Sequence, residues 1–244
     1  MPQVFDLTDP RYLDEVGWFL YHEKYNRGQF GGPYDTERLA YSRLLLDELV
    51  SYLGKDRTWL KDKTVVSVGC GCTGDLVAFP SAVKVAVDPL LYIYQQLGML
   101  LEKDEAGSRT VYLSVGIENL PLLDEFADLV ICRNALDHVP DPTIALREAW
   151  RILSKEGALF VSVDIGGSPT PDEPTVFSEE SLRSLLMKDF EITAVSDKHQ
   201  PHSGWRLYSR RILARKIPRE RHHLDKEVVL RAYEARLPKS NAGG

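Results

Sequence analysis

Cysteines, long apolar runs and repeated segments are all scarce or missing in this chain of 244 residues. Its three cysteines are too few for a disulfide framework, so we expect free thiols in a cytoplasmic protein. The most apolar long window, residues 82–101, contains Lys84, Asp88 and Pro89, which exclude a membrane span. The first residues show no basic region followed by an apolar one, so we do not expect a signal peptide.

The fraction of charged residues is ordinary, but the charges are unevenly distributed along the chain. Hydrophobic residues make up 43% and charged residues 27% of the chain, which are usual proportions for a globular protein. The net charge is −6, yet from Lys198 onward 12 Lys and Arg stand against 4 Asp and Glu. The remaining body is strongly acidic and repels phosphates, so we do not expect a nucleic-acid partner. The basic tail is either solvated or docked on the acidic body.

Apolar runs alternate with helical patterns through the middle of the chain. Short β-branched runs predict buried strands at residues 64–68, 83–87, 110–115, 127–132 and 158–164. Helical spacing predicts helices at residues 90–103 and 143–154, the second stopped by Gly157. Strands that alternate with helices pair in parallel through right-handed crossovers. The sequence therefore predicts an α/β fold with a Rossmann-like, doubly wound and mostly parallel sheet.

The two ends of the chain depart from this alternation. A helix is expected at residues 35–53, with Gly54 as its stop. Near the other end, Ser178 has the position of a capping-box residue that begins a helix reaching about Lys188. Two strand-like runs follow at residues 191–196 and 205–216 with no helix between them. We therefore expect the sheet to end in an antiparallel hairpin.

A glycine-rich loop follows the first predicted strand and fits the pattern G-x-G-x-x-G at Gly69, Gly71 and Gly74. Glycines let the backbone turn tightly and approach a ligand, and the pattern is shared by nicotinamide, flavin and S-adenosylmethionine (SAM) sites. Asp88 ends the second strand, where a carboxylate accepts hydrogen bonds from a ribose diol. Alternatively, Asp88 with Pro89 caps the next helix.

Together with three further blocks, these features resemble the class I SAM-dependent methyltransferases that act on small molecules. The matching blocks are residues 65–74, 86–88, 117–121, 128–141 and 146–159. The resemblance implies the class I methyltransferase fold, SAM as the cofactor and a small molecule as the methyl acceptor. Two departures are the short stretch between Gly74 and Asp88, broken by Pro80, and Gly116, where many relatives carry an acid.

The resemblance also implies which residues bind the cofactor. The glycines would pass beneath its methionine and ribose, Ile117 and Glu118 would frame the adenine, and the residues after the fourth strand would adjoin the sulfonium. The full cofactor-binding set is Gly69, Cys70, Gly71, Gly74, Asp88, Pro89, Ile117, Glu118, Cys132, Arg133, Asn134 and Tyr21. The division it suggests is residues 1–54 as N-terminal lid and helices, 55–216 as the SAM-binding domain, and 217–244 as a basic tail with a short helix.

Methyl transfer is an in-line displacement that orientation alone accelerates strongly, so the candidate catalytic residues are few. A general base is needed only for a weakly acidic nucleophile such as an alcohol, the acceptor we expect most. His138 is either this base or packs beneath the cofactor, and Asp137 either orients the substrate or pairs with a helix end. His22 lies in the N-terminal segment, where Trp18, Tyr21 and Tyr25 form either a lid or a buried helix face.

Cys70, Cys72 and Cys132 lack the usual spacing of a zinc site, so we expect buried thiols and no metal. Two other functions remain open, a non-catalytic SAM-binding subunit and a nicotinamide-dependent oxidoreductase. The second lacks a Tyr-x-x-x-Lys dyad. Substrate choice is expected in residues 166–174 and in the hairpin connection with His199, His202 and Trp205. The tail helix docks either on the body or on a second subunit, which would make a homodimer.

Overall fold

The computed structural model describes residues 9–25, 34–72, 74–100, 104–105, 109–201 and 206–219, with the side chains of residues 10–11, 22–25 and 34–37 left aside. Several predicted features lie outside this description: the side chains of His22 and Tyr25, residues His202 and Trp205, and the tail helix. Within the described residues, none of the helices combines the length and apolar character that a membrane crossing requires.

Five helices, five parallel strands and a two-stranded antiparallel hairpin make up the described chain. The helices are α1 (Pro10–Tyr25), α2 (Tyr34–Leu53), α3 (Leu91–Gln96), α4 (Pro142–Ile152) and α5 (Glu179–Leu186). The strands are β1 (Thr64–Val68), β2 (Val83–Val87), β3 (Thr110–Leu113), β4 (Ala127–Arg133), β5 (Leu153–Ile165), β6 (Phe190–Val195) and β7 (Tyr208–Lys216). Single 3₁₀ turns occupy Arg57–Leu60 and Ile117–Asn119.

The strands form one seven-stranded sheet in the order β3-β2-β1-β4-β5-β7-β6. Strands β1 to β5 pair in parallel, while β7 pairs antiparallel with both β5 and β6. This confirms the predicted α/β fold and its terminal antiparallel hairpin. The strand order reverses between β1 and β4, and in open α/β sheets ligands bind in the crevice at such a switch point.

Both faces of the sheet are covered, which explains why its central strands are continuous apolar runs. One face packs against α4 and α5 in a core that includes Val66, Val130 and Leu159. The other face packs against α2 through a core that includes Val65, Ile131 and Phe160. A third, smaller core joins α1 and α3 to the segment after β1, and it contains Phe19 and Tyr94.

Helix α3 is shorter than the predicted 90–103, and its end has a local cause. Gly98 has a φ of +69°, its N–H donates to the carbonyl of Gln95, and the N–H of Met99 donates to that of Tyr94. This bond pattern is a Schellman motif with glycine at the left-handed position. The predicted extension to residue 103 is therefore wrong, and Gly98 is the stop that the sequence offered.

The boundary between α4 and β5 also differs from the prediction. Helix α4 ends at Ile152 and the strand begins at Leu153, so Gly157 lies inside β5 instead of stopping the helix. Leu153 pairs with Ala127, and pairing resumes at Ala158 with Leu129 after an irregularity. A side chain at 157 would collide with the backbone of Ser154, which is why a glycine is needed in this bulge.

The other predicted boundaries are close to those observed. Strand β3 ends at Leu113 instead of residue 115, where the N–H of Val115 already turns back to the carbonyl of Leu113. Helix α5 begins after Ser178 as predicted, and the capping box is closed by the hydroxyl of Ser181. Between Gly74 and β2 the described chain makes only turns, consistent with the truncation expected at Pro80.

Candidate active site

The glycine loop after β1 needs glycine at each of its three matching positions. Gly69, Gly71 and Gly74 have φ values of +64°, +54° and +70°, a region that side chains with a Cβ rarely adopt. Space is also limiting, because a Cβ on Gly69 would lie 2.2 Å from the Cβ of Ala135. The bare backbone of this loop therefore forms the floor of the crevice at the switch point.

Asp88 lies at the tip of β2 and ties the glycine loop to the start of the next segment. Its Oδ2 accepts the N–H of Gly71 at 2.9 Å, and its Oδ1 accepts the N–H of Leu90 at 2.8 Å. Burial raises the pKa of this carboxyl. Asp88 therefore caps the turn before α3 and not the helix itself, whose cap residue Leu90 makes no side-chain capping bond. Each of its oxygens still has a lone pair for a ligand hydroxyl.

The tip of β4 carries an unusual backbone conformation. Asn134 has a φ of +46°, and its N–H donates to the carbonyl of Ser162 at 2.7 Å. Among the described residues no donor reaches its buried Oδ1. Asparagine tolerates this left-handed region better than most residues, and such conformations concentrate at functional sites. After this turn, the chain that follows β4 runs across the crevice.

Arg133, the residue before this turn, faces the opposite side of the sheet from Asp137. Its guanidinium stacks over the ring of Tyr41 on α2 at 3.8 Å. Burial, together with the charge of Arg211, lowers its pKa to about 9. Arg133 thus borders the crevice from the α2 side, and its assignment to the cofactor stays a prediction.

Helix α1 covers the glycine loop, but through a different face from the one predicted. Phe19 is buried and its ring would meet a Cβ on Gly71 at 2.9 Å, while it also packs edge-on against Tyr94. Trp18 and Tyr21 are 52% and 58% exposed. The proposed buried face with these two aromatics is therefore wrong, because the helix turns Val16 and Phe19 inward instead. Tyr21 as a cofactor contact remains unsupported.

A group of acids surrounds His138 on the loop after β4. Glu15 of α1 lies 3.8 Å from His138 Nδ1, and Asp137 lies 4.0 Å from its Nε2. Burial lowers the pKa of His138, but the nearby carboxylates of Asp137, Glu15 and Glu173 outweigh it and raise the pKa above its usual value. Burial raises the pKa of Glu15 to about 7.

Asp137 is the most buried of these acids. Its side chain is fully buried, and among the described residues no hydrogen-bond donor reaches either carboxylate oxygen. Burial raises its pKa to about 6, against the charge of His138. Its partner in space, Glu173, comes from the segment after β5, where the N–H of Thr175 donates to the backbone carbonyl of Asp137. Asp137 is therefore not paired with a helix end.

Glu173 is held by a buried arginine. Its Oε2 accepts bonds from Nη2 and Nε of Arg206 at 2.6 and 2.9 Å, and the same guanidinium donates to the carbonyl of Gly166. Glu173 lies within residues 166–174, where the sequence predicts substrate choice, although nothing singles it out there, and Glu15 was missed. No motif or spacing marks either acid, because both lie far from Asp137 in the chain.

The structure gives the positions of Ile117, Glu118 and Pro89, and their assignment to the cofactor stays a prediction. Ile117 is buried in the turn after β3. Glu118 folds back so that its Oε2 fills the space a Cβ on Gly116 would need, at 2.3 Å. The carbonyl of Pro89 accepts the hydroxyl of Ser114.

All three cysteines are free and buried, as predicted. Burial raises the pKa of Cys132 to about 12 and that of Cys70 well above its ordinary value. Neither thiol is therefore a thiolate at neutral pH, so we assign them packing roles.

Comparisons with known proteins agree with this geometry. Residues 66–161 match a family model described as a methyltransferase domain. A ubiquinone biosynthesis O-methyltransferase of Pseudomonas savastanoi pv. phaseolicola is 31% identical over 138 residues, which are 54% of this chain and 56% of that protein. The chain thus spans little more than half the length of this curated relative.

Solved structures share the fold at lower identity. A SAM-dependent methyltransferase from Methanosarcina mazei matches with a TM-score of 0.54 and 17% identity, over 65% of this chain and 94% of that one. A 1,6-didemethyltoxoflavin-N1-methyltransferase from Burkholderia thailandensis, with S-adenosylhomocysteine bound, matches with a TM-score of 0.55 and 19% identity, over 86% and 91%. A methyltransferase domain match thus covers residues 66–161, and these solved structures share the class I SAM-dependent methyltransferase fold with this chain.

Proposed function

We propose that this chain transfers a methyl group from SAM to an oxygen nucleophile of a small-molecule acceptor, mainly by holding donor and acceptor in line. The observation that carries the proposal is the crevice where the left-handed glycine loop and Asp88 face the β4 tip with His138. The methyltransferase domain match at residues 66–161 argues against the nicotinamide-dependent alternative. An oxygen acceptor is supported by the curated relatives that are named ubiquinone biosynthesis O-methyltransferases.

The residues present fit an adenosyl cofactor. The backbone of Gly69 and Gly71 leaves a cradle that a Cβ would fill, and Asp88 offers free lone pairs at the tip of β2 for ribose hydroxyls. Ile117 and Glu118 are placed to border the adenine. When bound, SAM supplies a methyl group activated by a cationic sulfur.

His138 is the proposed general base. Its imidazole takes the proton of the acceptor hydroxyl as the oxygen attacks, which raises the nucleophilicity of that oxygen. Glu15, 3.8 Å from Nδ1, stabilises the imidazolium that forms. Asp137, on the side of Nε2, orients the ring or the acceptor. His22 stays a second candidate base, and its side chain lies outside the described residues.

Within the N-terminal segment of residues 1–54, helix α1 is proposed as the lid of this site. Phe19 packs over the glycine loop while Glu15 reaches the loop after β4, so α1 spans both sides of the crevice. A lid of this kind excludes water from the reacting groups. The homodimer, the short tail helix and the cytoplasmic location stay predictions.

Two assays on the full chain test the proposal. The first titrates SAM, S-adenosylhomocysteine and NAD by calorimetry, and we expect the first two to bind and NAD not to bind. The second incubates the chain with methyl-labelled SAM and a panel of small phenols and alcohols, with thiols and carboxylates as controls. Labelled ethers would support the proposal. Binding of SAM without transfer to any acceptor would instead favour the non-catalytic subunit.

A further inference from the structure

The carboxylate of Asp137 is an ionisable group buried beside the reaction centre without a hydrogen-bond partner. Its side chain is 0% exposed, and no donor among the described residues reaches either oxygen. One of its oxygens, a ring nitrogen of His138 and an oxygen of Glu173 lie within 4.8 Å of one another. The three groups therefore point into one small volume between the loop after β4 and the segment after β5.

The carboxylates around this volume outnumber the cations that face them in the described chain. Four carboxylates act on the imidazole of His138, those of Asp137, Glu15, Glu173 and Asp172. The cations that face them in the described chain are His138, when protonated, and Arg206, which is paired with Glu173. Asp172 accepts only a hydroxyl bond from Thr170. An excess of negative charge thus remains even with both cations counted.

Such an arrangement costs folding free energy, because a buried carboxylate loses its hydration and the nearby charge of His138 restores only part of that loss. The cost is recovered when a cation binds among the acids. We propose that Asp137 and Glu173 bind a protonated amine of the methyl acceptor, so that the substrate carries an ammonium group as well as the reacting hydroxyl. The inference rests on the proposed methyl transfer and adds the chemical class of the acceptor.

Geometry favours an ammonium group over a divalent metal ion. Ligand atoms around such an ion are about 3 Å apart when neighbouring, since each bond is about 2.1–2.4 Å long. Two acceptors of one tetrahedral ammonium are about 4.7 Å apart, given charge-assisted bonds of about 2.8–2.9 Å. The ligand atoms of Asp137 and Glu173 lie within 4.8 Å of each other, a separation that one ammonium group can span. His138 Nε2 lies 4.0 Å from Asp137, which is wider than the spacing of neighbouring ligands of one ion.

The remaining lone pairs also suit an ammonium. Arg206 donates two bonds to a single oxygen of Glu173, Oε2. Both oxygens of Asp137 are free of donors in the described chain. An ammonium held here places its substrate beside His138, which takes the hydroxyl proton. Asp137 and Glu173 are therefore specificity-determining groups that bind the acceptor, and His138 is the proposed base.

The test compares acceptors that differ only in charge. Tyramine and its neutral isostere tyrosol both carry a phenol, and aminopentanol and pentanediol form an aliphatic pair. Binding of each is measured by calorimetry to the full chain saturated with S-adenosylhomocysteine, and methylation is measured with SAM. We expect the amine of at least one pair to bind about ten-fold more tightly than its neutral partner. Equal binding within both pairs would overturn the inference.

Substitutions then identify the residues that cause the preference for the amine. In Asp137→Asn the shape is kept and the charge is removed, so the preference for the amine should disappear while S-adenosylhomocysteine binds unchanged. Glu173→Gln serves as a second variant, and Asp62→Asn, which changes an exposed acid just before the start of β1, is the control. An equal loss of S-adenosylhomocysteine affinity in Asp137→Asn would mean that the cofactor's own ammonium occupies the site, which overturns the inference.

Two further results separate this inference from the proposed function. Stoichiometric binding of Mn²⁺ or Zn²⁺ that Asp137→Asn abolishes, without any preference for amines, would make the cluster a metal site and overturn the inference. Methylation of tyrosol or pentanediol as fast as their amine partners would leave the methyltransferase function standing and overturn only the cationic substrate. Failure to bind SAM at all would remove the proposed function itself.

Discussion

Glu15 Oε2 lies 3.8 Å from Nδ1 of His138, although the two residues are 123 positions apart in the chain. The contact joins α1 to the loop after β4, so the helix that covers the glycine loop also reaches the proposed base. Burial raises the pKa of Glu15 to about 7, and Glu15 is one of the carboxylates that raise the pKa of His138, so the protonation of the two groups is coupled. The proposed lid helix α1 and the proposed base His138 are thereby linked through one pair of ionisable groups.

Glu15→Gln should change the pH dependence of turnover. Glu15 is one of the carboxylates that raise the pKa of His138, so its loss lowers that pKa. Since the base acts in its neutral form, the acidic limb of kcat/KM should move to lower pH, by about one unit. Glu156→Gln, an exposed acid in the bulge of β5, is the control and should leave the limb in place. An unmoved limb in Glu15→Gln would separate Glu15 from the mechanism.

His138→Ala should slow the reaction without loosening the cofactor. Removal of a general base costs about 10²- to 10⁴-fold in kcat, whereas the affinity for SAM should change less than about three-fold. Single-turnover kinetics and calorimetry on the same preparation give both values, and added imidazole should restore part of the rate. If kcat is normal and SAM affinity falls, His138 packs beneath the cofactor, the alternative that the sequence left open.

Asp137→Asn should stabilise the protein at neutral pH. The folded pKa of about 6 lies above the ordinary 3.8, so ionisation costs folding free energy as pH rises from about 4 to 6. By pH 7 the cost is on the order of 3 kcal/mol, and the asparagine variant avoids it. Urea unfolding at pH 4 and pH 7 measures this, with Asp62→Asn expected to differ little from the wild type. A variant that is less stable at pH 7 would show that Asp137 is satisfied in the folded chain.

Gly69→Ala should destabilise the fold and weaken SAM binding together. The new Cβ would lie 2.2 Å from that of Ala135, at a residue with a φ of +64°. Gly54→Ala is a matched control, because its φ is +63° but nothing lies within 4 Å of the new atom. Gly54→Ala should cost about 1–2 kcal/mol of backbone strain alone, and Gly69→Ala more. Thermal melts that show equal losses would mean that the floor of the crevice is not tightly packed.

The sheet was predictable because its signals are local. Each buried strand is a β-branched run, the glycine loop directly follows β1, and the absence of a helix between β6 and β7 indicates the hairpin. The errors at α3 and β5 concern single glycines, Gly98 and Gly157, whose roles depend on φ and on a bulge that spacing does not reveal.

The acidic cluster could not be predicted in the same way. Glu15, Asp137 and Glu173 come from three separate segments, and only the packing of α1 and the ion pair with Arg206 brings them together. The excess of negative charge arises because these acids are buried together, and burial cannot be read from the composition of the chain. Sequence identified Asp137 and His138 because they follow a strand at the switch point, but not the acids that face them.

The most direct test of the central claim is a calorimetric titration of SAM into the wild-type chain, Asp88→Ala and Asp62→Ala. The account predicts that the wild type and Asp62→Ala bind SAM alike, while Asp88→Ala binds at least ten-fold more weakly, because it loses both the ribose contact and the bond to Gly71. Unchanged affinity in Asp88→Ala, or no binding by the wild type, would contradict it.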